Sequence, residues 1–233
     1  MITLGIDTSN LPLGIALLSE GKVLAEWTSN GEKNHSIRLM PAIAQVFKET
    51  GVPPEKTDLV AVAQGPGSYT GVRIGVATAK ALAWAWEKPL VGISSLKALA
   101  HQVPFFPGLI VPFFDAKRGR LYTAAYRWSQ GALEEVIPEN IFHIEELVER
   151  LKEDEEAVLF LSEDAEKVRD FLEKALKAKA FFLPGEYSLP RASHIARLGE
   201  IRYLDGEKED LLFTPNYLQR TEAEVRLQEK MGE

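Results

Sequence analysis

Gly65-Pro66-Gly67-Ser68-Tyr69-Thr70-Gly71-Val72-Arg73-Ile74-Gly75 is the stretch whose reading decides the fold. It follows the apolar, β-branched run Leu59-Val60-Ala61-Val62-Ala63 and opens a segment of helical composition. Strand, glycine loop and helix start, in that order, let backbone N–H groups point at an anion. The spacing fits neither common phosphate motif. A dinucleotide fingerprint requires a third glycine where Thr70 stands. A Walker loop requires Lys followed by Ser or Thr after its last glycine, and Val72-Arg73 follow Gly71.

Upstream of the loop, residues 2–6 and 13–18 predict a hairpin around Thr8-Ser9-Asn10-Leu11-Pro12, and residues 22–28 a third strand. Ile37, Leu39, Ile43, Val46 and Phe47 predict a helix that ends near Gly51, with Ser36 as its N-cap. Pro41 lies in its first turns and is expected to kink it. Downstream of the loop come a long helix to about Trp86, a short strand at 90–92 and a helix opened by Ser94-Ser95. The order is βββαβα with one further βα unit. The segment 102–108, rich in Pro and Phe, is the expected boundary between a first lobe at 1–104 and a second at 109–233. The second half restarts with an apolar strand at 109–114, a turn at Asp115-Ala116-Lys117-Arg118-Gly119-Arg120 and a strand at 121–127. An aspartate at a strand–turn–strand occurs in both halves, at Asp7 and Asp115, and signals an internal repeat. Further helices are expected near 144–153, 164–178, 191–204 and 216–230, with a strand near 157–161. The last helix is charged throughout and is expected on the surface or packed back on the first lobe.

The whole-chain numbers bound the function. With 233 residues, 45% of them apolar and 26% charged, the chain has the composition of a soluble globular protein with a sizeable core. A net charge of −7 argues against a stand-alone nucleic-acid binder, whose affinity comes from neutralising phosphates, but not against nucleic acid as the substrate of a larger assembly. The absence of cysteine excludes disulfides, thiolate metal sites and a cysteine nucleophile. Residues 1–7 show no basic leader or cleavage site, and the apolar stretch Val103 to Phe114 is short and broken by Pro104, Pro107 and Pro112. A cytoplasmic protein without a membrane segment is expected.

Gly71, Gly75, Ala79 and Ala83 recur every four residues and so line one helix face. Glycine inside a helix costs roughly 0.5–1 kcal/mol relative to alanine, a cost that a close backbone approach offsets. Either a tight internal contact or a subunit interface satisfies that pattern. Asp7-Thr8-Ser9 is compatible with bonding inside its own turn. With Gly65, Gly67 and Ser68 it is equally a candidate phosphate or anion site, placed like the phosphate-facing hairpin of the actin, Hsp70 and sugar-kinase superfamily. His35, His101, His143 and His194 form no HxxxH or HExxH pair, so no metal site is expected. Ser68 and Thr70 lie outside a GxSxG elbow and are read as helix-capping hydroxyls, which leaves no catalytic candidate. Lys117, Arg118 and Arg120 make a compact basic turn, either a solvated tip or a contact for an anionic partner.

Ile6-Asp7-Thr8-Ser9, His35-Ser36, the glycine segment 65–75, Ala79-Lys80-Ala81-Leu82-Ala83 and Ser94-Ser95-Leu96 together resemble the bacterial TsaB (YeaZ) family. So do Asp115-Ala116-Lys117-Arg118-Gly119 with Tyr122, and Pro215-Asn216-Tyr217-Leu218-Gln219-Arg220. The likeness covers most of the chain in order, and residues 130–190 match in kind rather than in detail. It implies an α/β, actin/Hsp70-like (ASKHA) fold of two lobes, the second reduced. It also implies a role in making N6-threonylcarbamoyladenosine at position 37 of tRNAs that read codons beginning with A. In that pathway TsaD transfers the threonylcarbamoyl group, TsaB is its partner and TsaE the associated ATPase. TsaD resembles TsaB but carries an HxxxH metal pair, whereas the stretch Gly92 to His101 here holds a single histidine.

The resemblance therefore implies a non-catalytic activator of TsaD rather than an enzyme. It has no cofactor of its own, places ATP or ADP at the junction of the complex, and contacts tRNA indirectly. Pairing with TsaD, or with a second copy of the chain, is expected through first-lobe helices, with Ser36, Leu39, Ile43, Gly71, Gly75, Ala79 and Ala83 at the interface. Gly75→Trp is accordingly expected to separate the complex and leave the chain folded. The competing readings are a nucleotide-binding ATPase or sugar-kinase-like enzyme, and a metalloprotease.

Overall fold

A computed structural model of the protein describes residues 1–31, 34–210 and 212–218. β1 (Ile2–Asp7), β2 (Leu13–Ser19) and β3 (Lys22–Ser29) form an antiparallel meander. β4 (Leu59–Gly65) adds to β1 in parallel and β5 (Leu90–Ser94) to β4, giving the order β3-β2-β1-β4-β5. Side chains alternate across a strand, so Leu4, Ile6, Leu13, Ile15, Val60 and Val62 share one face. That face is covered by α1 (His35–Thr50) and α2 (Tyr69–Trp86), which follow β3 and β4. The N-cap of α1 is Asn34 rather than Ser36: the Asn34 side chain accepts the Ser36 N–H at 3.0 Å. Gly51, in the left-handed region, closes the helix.

The second half repeats this plan. β6 (Gly108–Asp115), β7 (Arg120–Ser129) and β8 (Ala132–His143) form a meander, and β9 (Ala157–Leu161) and β10 (Ala180–Phe182) extend it in parallel from β6. The order β8-β7-β6-β9-β10 matches the first sheet strand for strand, so the two aspartate turns mark a repeat of topology. It is the smaller copy: α4 (Ile144–Lys152) and α5 (Arg169–Leu176) have 9 and 8 residues, against 16 and 18 in α1 and α2. Sequence reading missed β8, an edge strand that buries Leu133 and Phe142 alone, and β10, which has only 3 residues. The helix expected over 164–178 is shorter, with a separate 3-10 turn at Ala165–Lys167. Residues 216–218 are not helical, and the rest of the helix expected at 216–230 lies outside the described residues.

The halves are joined by an exchange of helices. α3 (Ser95–Ala100) comes from the first half but sets Leu96, Leu99 and Ala100 against Ile110, Phe114, Ala124 and Tyr126 of the second sheet. α6 (Ala192–Leu204) comes from the second half but packs on the first sheet. Ile195 and Leu198 meet Leu59, Ala61 and Ile93, while Ala192 and Ala196 meet Ala16 and Leu18. The approach is close enough that a Cβ at Gly5 of β1 would overlap the Ala192 carbonyl and stand 2.9 Å from the Ala196 methyl. The half of the chain that follows residue 109 thus returns to the first sheet.

His101, just after α3, and His194, in α6, meet across this junction with their Nδ1 atoms 2.8 Å apart. One proton fits between two such nitrogens, so at least one ring must be neutral and the contact is lost when both are protonated. Burial holds His194 down to about 4, reinforced by His101 and Arg191 and opposed by Glu26. Burial also lowers His101, helped by Arg197 and Lys97. A histidine with a depressed folded pKa stabilises the protein fully above its unfolded value of about 6.5, and that stability fades as pH falls toward the folded value. For His194 the loss between pH 7 and 4 is on the order of 3 kcal/mol. Denaturant unfolding across this range should show wild type losing that much more stability than His194→Gln; parallel curves would remove the pair as the acid-sensitive contact.

Candidate functional site

The first hairpin turn and the glycine loop form one constellation. Ser68 caps α2, its Oγ accepting the Gly71 N–H at 3.3 Å. The Ser68 N–H donates to the Ser9 carbonyl at 2.6 Å, and that carbonyl packs onto Gly67. Ser9 donates to Asp7 Oδ1 twice, from its N–H at 2.9 Å and its Oγ at 2.7 Å. The Thr8 hydroxyl donates to the Gly71 carbonyl at 2.7 Å. Burial pushes the Asp7 carboxyl above the ordinary range, against the two Ser9 bonds and the charge of His35. His35 Nε2 lies 2.9 Å from the Asn10 carbonyl and must be the donor, since a carbonyl only accepts.

Asp7, Thr8, Ser9, Gly65, Gly67 and Ser68, separated in sequence, are therefore in one place. Several of their polar groups bond to one another and to the start of α2. The Ser9 carbonyl holds the Ser68 N–H that an anion would use, and its partial negative charge repels phosphate. Beside this turn lies a cleft of about 680 Å³ between the halves, lined by Asn10, Ser68, Asp115, Lys117, Tyr122 and Lys167 among others. Asp115 accepts from the Lys117 N–H at 2.7 Å and from its Nζ at 3.1 Å. Partial burial pushes the Asp115 carboxyl up, but these bonds win and hold it below the ordinary range.

The seven residues expected at a partner interface are placed differently from that expectation. Gly71, Gly75, Ala79 and Ala83 are buried, as are Leu39 and Ile43; of the seven, Ser36 alone is exposed. A Cβ at Gly75 would overlap the Thr8 hydroxyl, and one at Gly71 the Thr8 carbonyl. The small-residue stripe is thus an internal contact that lets α2 lie against the end of β1. Gly75→Trp would strike the core, not a partner. The outward faces lie one step around each helix. α1 exposes Ile37 (70%), Met40 (48%), Pro41 and Ala44. α2 exposes Arg73, Ala77, Ala81 and Trp84 (72%).

Sequence reading also missed that Asn216 and Tyr217 reach this region. The Asn216 N–H donates to the Gln64 carbonyl at 2.8 Å, and the Tyr217 hydroxyl accepts from Arg73 Nε at 2.7 Å. The motif containing them is visible in the sequence, but nothing local says where it docks. Among the described residues, no group of three or more His, Asp or Glu side chains is placed to hold a metal ion, and no helix is long and apolar enough to cross a membrane.

The comparisons with known proteins agree with this architecture. The family model described as "TsaD: tRNA N6-adenosine threonylcarbamoyltransferase" matches residues 22–227. The tRNA threonylcarbamoyladenosine biosynthesis protein TsaB of Bacillus subtilis is 42% identical over 227 residues, 97% of each chain. YeaZ from Pseudomonas aeruginosa superimposes with a TM-score of 0.78 at 25% identity, covering 93% of this chain and 99% of that one. A ROK hexokinase from Thermus thermophilus shares the fold alone, with a TM-score of 0.50 at 11% identity over 88% of this chain and all of its own. The actin-like ASKHA topology, repeated in two halves, and near-full-length identity to a TsaB sequence lead to one conclusion: the chain belongs to the TsaB (YeaZ) family of tRNA threonylcarbamoyladenosine biosynthesis proteins.

Proposed function

We propose that this protein is the non-catalytic partner and activator of TsaD in forming N6-threonylcarbamoyladenosine at position 37 of tRNAs that read codons beginning with A. One observation carries the reading: two adjacent helices expose apolar side chains on their outward sides, with Ile37, Met40, Pro41 and Ala44 on α1 and Ala77 and Ala81 on α2. Large exposed apolar groups gathered on one face are the mark of a protein-binding surface. The same face suits a homodimer when TsaD is absent, because a two-fold pair uses one patch twice.

Three further features support the reading. The hairpin and glycine loop close on themselves, so ATP or ADP belongs at the junction with TsaD rather than in this loop. The stretch from Gly92 to His101 carries no metal-binding histidine pair. The net charge of −7 leaves tRNA to be held through TsaD and the associated ATPase TsaE, in the cytoplasm. The test is an omission assay in which tRNA modification is reconstituted from threonylcarbamoyl-AMP synthase, TsaD and TsaE, with and without this protein. Modified nucleoside that forms only when the chain is added, while the chain alone neither hydrolyses ATP nor modifies tRNA, is the expected result. Full modification in its absence would sink the reading.

A further inference from the structure

Pro215-Asn216-Tyr217-Leu218 is remote in sequence from the glycine loop, yet the structure lays it across that loop. After α6, residues 207–210 and 212–218 run along the outer edge of the first sheet toward the start of α2. The Glu209 N–H donates to the Leu90 carbonyl at 2.8 Å, covering part of the exposed edge of β5. The Phe213 ring packs on Gly92, and its carbonyl accepts from Lys80 Nζ of α2 at 3.0 Å. Beyond its bond to Gln64, Asn216 sets its carbonyl over Gly65. At the end, the Tyr217 and Tyr69 rings meet at a tilt with centroids 5.3 Å apart, and the Arg73 guanidinium lies 3.9 Å from the Tyr69 centroid and 5.4 Å from that of Tyr217. The segment's side chains are exposed or half-buried, with Leu212 83% and Tyr217 42% exposed and Phe213 alone packing at the edge of the first core among the described residues. Segments held by a few exposed contacts open at a lower free energy than the core.

We propose that the described residues 207–210 and 212–218 are a latch, releasable without unfolding either sheet, that holds the glycine loop and the first turn of α2 in place, with Tyr217 and Arg73 as its clasp. Arg73, Ala77 and Ala81 lie one above another on the outward side of α2. The clasp therefore borders the partner face, and the coupling of latch to partner rests on the TsaD reading above. Such coupling is reciprocal: a closed latch favours docking, and docking protects the latch.

Amide hydrogen exchange on the full chain, alone and with TsaD, tests both statements. In the isolated chain, Tyr217→Ala should speed exchange at residues 67–72 at least tenfold while amides of β1 and α1 stay as in wild type. Tyr217→Phe, which keeps the ring but loses the Arg73 bond, should give a smaller change of the same sign. Unchanged exchange at 67–72 in Tyr217→Ala overturns the latch. Uniformly faster exchange through both sheets also overturns it, since the segment would then be part of the global fold. With TsaD present, wild-type residues 207–218 should exchange more slowly, and Tyr217→Ala should bind TsaD at least tenfold more weakly. Faster loop exchange with unchanged TsaD affinity would keep the latch and overturn its coupling to the partner face.

Discussion

The double variant Met40→Glu, Ala81→Glu is expected to lose co-elution with TsaD and to abolish tRNA modification in the reconstituted system, while remaining folded. Both side chains are exposed, one on each helix of the outward face. Substitutions at such positions change stability by about 0.5 kcal/mol or less, a shift of only a few degrees in Tm for a chain of this size. In a complex the same carboxylates would be desolvated without partners. Burying one uncompensated charge costs about 3 kcal/mol or more, so two should weaken binding at least about a thousandfold. Size-exclusion chromatography with TsaD, alongside a melting curve of the isolated chain, reads both effects. A variant that still co-elutes would move the TsaD contact to another surface.

Gly75→Trp should behave in the opposite way: the isolated chain is expected to fail before any question of partners arises. Thr8 occupies the space where a Cβ would go, and Val62 of β4 stands behind it. Thr8 cannot retreat, because its hydroxyl is bonded to the Gly71 carbonyl and its neighbours Asp7 and Ser9 are bonded to each other. Overpacking a tight site by even a few methylenes costs about 1–3 kcal/mol. An indole here should cost more than about 4 kcal/mol, lowering Tm by roughly 10 °C or more or preventing soluble expression. Ala77→Trp, on the outward side of the same helix, should melt like wild type yet fail to bind TsaD. Equal melting points for the two tryptophan variants would show that the inward and outward sides of α2 have been assigned the wrong way round.

The contrast between these variants marks how far the sequence could be read. The glycine loop, the strand before it and the helix after it are local: a β-branched run, turn residues and a capping hydroxyl act within a few residues of one another. The same holds for the hairpin with Asp7 and for its echo at Asp115, whose matching strand orders confirm the repeat. The candidate site was half legible. Asp7, Ser9, Gly67 and Ser68 do converge, but the direction of their hydrogen bonds, donor against acceptor across the loop, is set by two segments about sixty residues apart.

The side on which α2 meets the sheet was not legible, because from Ile74 to Trp86 only Lys80 is charged and the helix is apolar nearly all round. Periodicity named the stripe of Gly71, Gly75, Ala79 and Ala83; the sheet decided that the stripe turns inward. The exchange of α3 and α6 between the sheets, the pairing of His101 with His194 and the docking of Asn216 and Tyr217 on the glycine loop are likewise tertiary. Each depends on close approach between segments remote in the chain, and no local signal encodes which remote partner fills the space beside a small residue. The sequence by itself determined the element order around the glycine loop and the family. The tertiary structure alone decided which surfaces are core and which are left for a partner, because burial is a property of the packed whole.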